Sequence, residues 1–272
     1  MSTRQVKRQT QRLVAKIGDS GVRTGVPRAP AVEALVAVGY VVATALRSAD
    51  DPARAGAAAR LAHQMFESSL SKIPSGLGIA CRKGCGYCCH TWVGATAPEI
   101  FLLAQEVRNR KAKPGTATSM AAVAARAAEA SNLNIGERFG AKIPCALLEN
   151  SSCSVYAVRP GACRQVTSTD LAACIDEYEG RDEGGDVPVS QLYLDHARNS
   201  GAALAGALAA CGLDGRVYEL NAALARALSA SDSEARWLAG VDVFAGIAQA
   251  PPDDPAIRSV VATIADGIAP LL

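Results

Sequence analysis

Residues 81–89 read Cys81-Arg82-Lys83-Gly84-Cys85-Gly86-Tyr87-Cys88-Cys89, four thiols in nine residues. Gly84 and Gly86, with Gly76 and Gly78 just upstream, make this stretch a loop, because glycine costs about 1 kcal/mol relative to alanine in a helix. The rest of the chain is helical in character. Alanine, the best helix former, supplies 54 of 272 residues, and no segment sustains the period-two alternation of a half-buried strand. The expected fold class is mainly α: one helical domain with an irregular, cysteine-rich metal-binding centre between helices.

Working outward, residues 1–28 are polar and basic and read as a flexible tail, followed by a single helical domain over 29–272. Within it the cysteine-bearing core covers 76–180 and a helical C-terminal part covers 186–272. Helices are expected at 29–48 and 52–73, the second opened by Asp51-Pro52 and carrying Leu61, Met65, Phe66 and Leu70 at helical spacing. Thr96-Ala97-Pro98-Glu99 is a capping box that starts a helix running to about 111. An alanine-rich helix over 117–132 follows the Pro114-Gly115 break. Residues 134–167 read as irregular, and helices return at 168–179, 189–211, 215–229, 233–247 and 255–270. In the 215–229 helix, Val217, Leu220, Leu224 and Leu228 share a face.

Net charge is +2, from 28 basic and 26 acidic residues, too little for a dedicated nucleic-acid binder. The longest uncharged apolar run near the N-terminus, 34–46, is shorter than the roughly 20 residues a spanning helix needs. A cytoplasmic location is expected, where thiols stay reduced and clustered cysteines serve metal or redox chemistry.

A second cysteine group follows the first: Pro144-Cys145, then Cys153-Ser154-Val155-Tyr156-Ala157-Val158-Arg159-Pro160-Gly161-Ala162-Cys163-Arg164, and Cys174 eleven residues on. Eight thiolates suffice for two tetrahedral sites. Adjacent Cys88 and Cys89 cannot both face inward in a regular strand, so they need a turn or serve two metals. Arg159 and Arg164, always protonated, could offset thiolate charge or donate hydrogen bonds to sulfur and so help bind the cofactor. Arg82 and Lys83 could act likewise. His90 is better read as a hydrogen-bonded loop residue than a ligand, Cys211 as core filler, Tyr156 as packing with a polar tip, and His63 and His196 as ordinary helix histidines.

C-x3-C-x2-C-C, a proline–cysteine pair and C-S-V-Y-A-V-R-P-G-A-C-R together resemble the bacterial CxxCxxCC (YkgJ-type) cysteine-cluster family, described as zinc- or iron-chelating. The resemblance covers about 76–180. It implies Cys81, Cys85, Cys88, Cys89, Cys145, Cys153 and Cys163 as metal ligands, with Cys174 beyond the matched pattern as an eighth. The metal is zinc or iron, an iron–sulfur cluster being one form of the latter. Redox, metal-handling or partner-modifying roles follow, with metal ions and a protein as the expected partners.

Two other readings stay open. Zinc held by four protein ligands would make a structural site in a helical protein-interaction module. Cys81-x3-Cys85-x-Tyr87-Cys88 also resembles the three-cysteine signature of radical S-adenosylmethionine [4Fe–4S] enzymes, loosely echoed by Gly184-Gly185-Asp186. That reading requires a barrel of alternating strands and helices. Phosphate loops, serine-hydrolase elbows and paired-histidine zinc helices are missing from the sequence, and the acidic stretch 176–186 reads as an exposed linker.

Overall fold

The computed structural model describes residues 12, 30–71, 77–110, 119–130, 133–181, 186–250 and 254–272. All of the expected tail except Arg12, together with Gly76, Pro114, Gly115 and 182–185 of the acidic stretch, lies outside the described residues. Eleven α-helices are described: α1 (Pro30–Leu46), α2 (Arg54–Leu70), α3 (Ala97–Asn109), α4 (Met120–Ala130), α5 (Ile135–Gly140), α6 (Gly161–Gln165), α7 (Leu171–Glu179), α8 (Gln191–Ala210), α9 (Leu220–Ser229), α10 (Ser233–Leu238) and α11 (Pro255–Ile268). Four short strands form two antiparallel pairs: β1 (Gly94–Thr96) with β4 (Val217–Glu219), and β2 (Leu148–Glu149) with β3 (Ser152–Cys153). The expected mainly α class holds. The parallel barrel that a radical enzyme of the above kind requires is not formed by the described residues. No helix among them is long and apolar enough to cross a membrane.

Small side chains set the packing. α8 lies against α11, α1 and α2, and α2 lies against α3. Ala55, Ala58, Ala59 and Ala62 of α2 are buried in the shared core with Ala97 and Ala104 of α3. A β-carbon at Gly206 of α8 would sit 2.5 Å from Ile264 of α11, so glycine there lets the two helices approach. The scarce aromatics are concentrated: Phe101 packs on Trp237 and Phe244 at ring separations of 5.7 and 5.6 Å, and Tyr218 lies 4.9 Å from Phe244.

Several boundaries differ from expectation. Val217 is not on a helix. Val217–Glu219 pairs with Gly94–Thr96 as β4, and the Glu219 side chain then caps α9 by accepting from Ala222 N. The expected 233–247 helix stops at Leu238, because Gly240 enters the left-handed region at φ 85° and closes the last turn with its N–H on Trp237 O. The irregular 134–167 segment contains two short helices. α5 starts from a capping box of Asn134 and Glu137, and α6 follows Pro160. α7 begins only at Leu171, where Asp170 accepts from Ala172 N and Ala173 N.

Gly206→Val should lower unfolding stability by about 1–3 kcal/mol through overpacking against Ile264, read from the urea midpoint at unchanged slope. A midpoint at or above wild type would show that α8 and α11 do not meet as closely as described.

Candidate metal centre

The first cysteine loop is a chain of tight turns. Cys85 N donates to Arg82 O across Gly84, whose φ of 94° only glycine adopts cheaply. Tyr87–His90 then winds into one 3₁₀ turn that carries Cys88 and Cys89. The loop is pinned at its start by Ser168: Ala80 N donates to Ser168 O at 2.8 Å, and Ser168 N donates to Cys81 Sγ at 3.2 Å. This brings α7 onto the loop. Tyr178 of α7 stacks edge-on with Tyr87 (5.4 Å) and against His90 (4.9 Å). Cys174 lies four residues earlier on the same helix and so shares that face.

The second loop is bolted to the first by backbone, since Cys145 N donates to Cys89 O at 2.7 Å. Ala146 N donates to Asn221 Oδ1 (3.0 Å), and Asn221 in turn donates to Glu219 (3.0 Å), which holds the buried Arg138 guanidinium at 2.7 Å. The chain then reverses through Asn150 and Ser151, both left-handed at φ 48° and 58°, setting Cys153 opposite Leu148. Arg159 lies 4.2 Å over the Tyr156 ring, and Pro160 leads into α6, which carries Cys163.

The eight cysteines between 81 and 174 are half-buried and free of disulfides, and they sense one another electrostatically in two overlapping sets. Cys85 feels Cys81, Cys88 and Cys174, and Cys174 feels Cys81 and Cys88. Cys89 feels Cys88, Cys145 and Cys163; Cys163 feels Cys145, Cys153 and Cys88. Cys88 is common to both. Burial pushes the thiols up: Cys145 to about 11, and Cys85, Cys153, Cys163 and Cys174 in the same direction. Cys88 runs the other way, down to about 7, because the Cys89 thiol hydrogen-bonds to it and Arg159 lies nearby. Cys89, the donor of that bond, is correspondingly raised.

The donor chemistry fits a thiophilic metal. Ser168 N bonds to Cys81 sulfur at 3.2 Å, and against burial the backbone at Tyr87, Leu147 and Val155 acts to lower the thiols of Cys85, Cys145 and Cys153. Such N–H groups stabilise thiolates. The polyhedron itself is not closed: among the described residues, no three or more His, Cys, Asp or Glu side chains are arranged to hold an ion as they stand. An ion would have to draw sulfurs together and displace their protons, so its affinity would rise with pH.

Arg159 faces the thiols of Cys88, Cys153 and Cys163. Arg164 is buried and its guanidinium is taken up by Glu67, Arg159 O (3.0 Å) and Ala157 O (3.1 Å), bracing the loop backbone. His90 Nδ1 lies 3.2 Å from Tyr87 O. Cys211 packs half-buried against the main core, its thiol directed at Ala43 O. Sequence reading missed Ser168, Tyr178 and the Arg138–Glu219–Asn221 group, none of which belongs to a motif. It also missed the wider role of Glu99, seen only as a capping residue. That buried carboxylate accepts from Thr96 N (2.9 Å), Thr96 hydroxyl (2.9 Å) and Gly161 N (2.7 Å), with His63 Nε2 at 3.2 Å.

The middle of this helical protein gathers eight unbridged thiols on two interlocked loops and the two short helices beside them. Residues 80–183 match the model of the CxxCxxCC family, described as "Putative zinc- or iron-chelating domain". This is the family, and nearly the segment, to which the cysteine pattern pointed. No curated protein and no solved structure matches the chain.

Those donors hold the Glu99 carboxyl down to about 2, against 4.5 for an ordinary glutamate. Its contribution is therefore complete above about pH 4.5 and is lost as pH falls toward 2, a difference on the order of 3 kcal/mol. The stability gap between wild type and Glu99→Gln, measured by urea unfolding at successive pH values, should shrink by about that amount between pH 6 and pH 2. A gap independent of pH would contradict an ionised, bonded carboxylate.

Proposed function

We propose that this protein is a thiolate chelator of zinc or iron, with two ligand groups. One comprises Cys81, Cys85, Cys88 and Cys174; the other comprises Cys89, Cys145, Cys153 and Cys163. The observation that carries this reading is eight unbridged cysteines gathered where Cys145 N bonds to Cys89 O and Ser168 N bonds to Cys81 Sγ, on a segment whose family description names zinc or iron chelation. Cys88 and Cys89, side by side in one 3₁₀ turn, are the point where the groups divide, as the eight-thiol count anticipates for two tetrahedral sites.

Bound metal would supply a fixed cross-link between loops some sixty residues apart, and in an iron–sulfur form an electron carrier. The chain's own residues do the rest. Ser168 N orients the Cys81 sulfur, the backbone two residues past Cys85, Cys145 and Cys153 favours their thiolates, and Arg159 offsets the charge of the second group. Arg164 supports Arg159 from behind through its backbone carbonyl. Four thiolates per group leave no open coordination position, which favours structural or electron-transfer use over Lewis-acid catalysis. A protein partner would then read the helical scaffold that the metal holds closed.

Zinc(II) titration against a chromophoric competitor should give two ions per chain. Cys81→Ser/Cys85→Ser and Cys145→Ser/Cys163→Ser should each retain one. Loss of both ions in either double variant would mean one undivided centre, and no binding by the wild-type chain would overturn chelation itself.

A further inference from the structure

A cleft of about 680 Å³ opens on the side of α6 away from the second cysteine group. Gly161, Ala162 and Gln165 of this five-residue helix face the cleft, while Cys163 between them belongs to the thiol neighbourhood. The opposite walls are β1, β4, α8 and the start of α11. The volume lies within the roughly 300–1,000 Å³ typical of small-molecule sites.

The lining is specific in kind. Trp92, Leu204, Val217 and Val261 make an apolar wall. Glu99 lies at the base, but both of its oxygens are engaged by the donors already described, so it offers little to a cation. Of the two arginines on the lining, Arg216 is held by Asp214 at 2.9 Å and Asp242 at 3.0 Å. The Arg198 residue is exposed, and its guanidinium makes no hydrogen bond or ion pair with the described residues. A free guanidinium beside an apolar wall and the Gln165 amide is a donor fork for a planar anion attached to a hydrophobic body.

We propose that this cleft is a binding site for a small organic carboxylate with an apolar or aromatic body, its carboxylate on Arg198 and its body against Trp92 and Leu204. Gly201 of α8 keeps the room open: a β-carbon there would approach only the Gln165 amide, at 3.8 Å. The site needs no metal, so its failure and the failure of chelation are separate results.

The test is a ¹H–¹⁵N titration of the full chain with 3-phenylpropionate and with its neutral amide, 3-phenylpropanamide. The readout is the Trp92 indole N–H, assigned through Trp92→Phe. Trp237, buried in the core, is the internal control. The acid should shift Trp92 but not Trp237, with saturation in the millimolar range or below, and should bind at least about tenfold more tightly than the amide. Arg198→Gln should erase that preference. Gly201→Leu, a favourable helix substitution that fills the cleft, should abolish binding of both probes while the thermal midpoint is kept. No Trp92 shift with either probe, equal binding of acid and amide, or undiminished binding by Gly201→Leu would each overturn the proposal.

Discussion

One buried carboxylate joins the parts of this protein. Glu99 is 6% exposed and would be costly to ionise there without partners. It takes donors from three places in the chain: Thr96 at the head of α3, Gly161 at the head of α6, and His63 on α2. The first pair starts a helix, and the third ties that helix to its neighbour. The bond to Gly161 fixes a segment that carries both Cys163 and three residues of the cleft lining. It secures the N-terminal end of this five-residue helix, while Arg164 anchors the other end on Glu67, Arg159 O and Ala157 O.

The second cysteine loop depends on an analogous device. Arg138, Glu219 and Asn221 form a buried network that reaches the Ala146 amide, next to Cys145. A buried ion pair is weak evidence for stability, but breaking one is costly because a charge is left unpaired. Its location suits registry. It joins α5, the β4–α9 junction and the cysteine loop at one point, where the two cysteine loops also share a backbone hydrogen bond. Two polar nodes in an alanine-rich scaffold thus set where the sulfurs lie. Burial pushes the Cys85, Cys145, Cys153, Cys163 and Cys174 thiols up, so a metal bound there would have to displace their protons.

Much of this was legible in the sequence, and the failures have physical causes. Alanine content and the Thr96–Glu99 capping box led correctly to α3 and to a helical fold. The same pattern at Asn134 and Glu137 went unread, because the surrounding glycines and cysteines suggested a loop. Val217, Leu220 and Leu224 have helical spacing, yet a three-residue strand running directly into a capped helix mimics that period. The cysteine spacing pointed to the family whose model matches residues 80–183 and to the eight thiols. It held no information on which sulfurs neighbour which, because that depends on Ser168 and Tyr178 bringing α7 to the first loop. Arg159 and Arg164 looked equivalent in sequence. The fold separates them, one beside the thiols and the other under the backbone. The cleft, assembled from residues between 92 and 261, has no linear signature at all.

Chelation through these cysteines requires that sulfur alone surround a bound metal, which X-ray absorption at the metal edge of the anaerobically purified protein reads out. The expected spectrum has a first shell of four sulfurs at about 2.3 Å for zinc, or a sulfur-only shell with a metal–metal distance for an iron–sulfur cluster. A first shell dominated by nitrogen or oxygen at about 2.0–2.2 Å, or an intact fold with no bound metal, would contradict it.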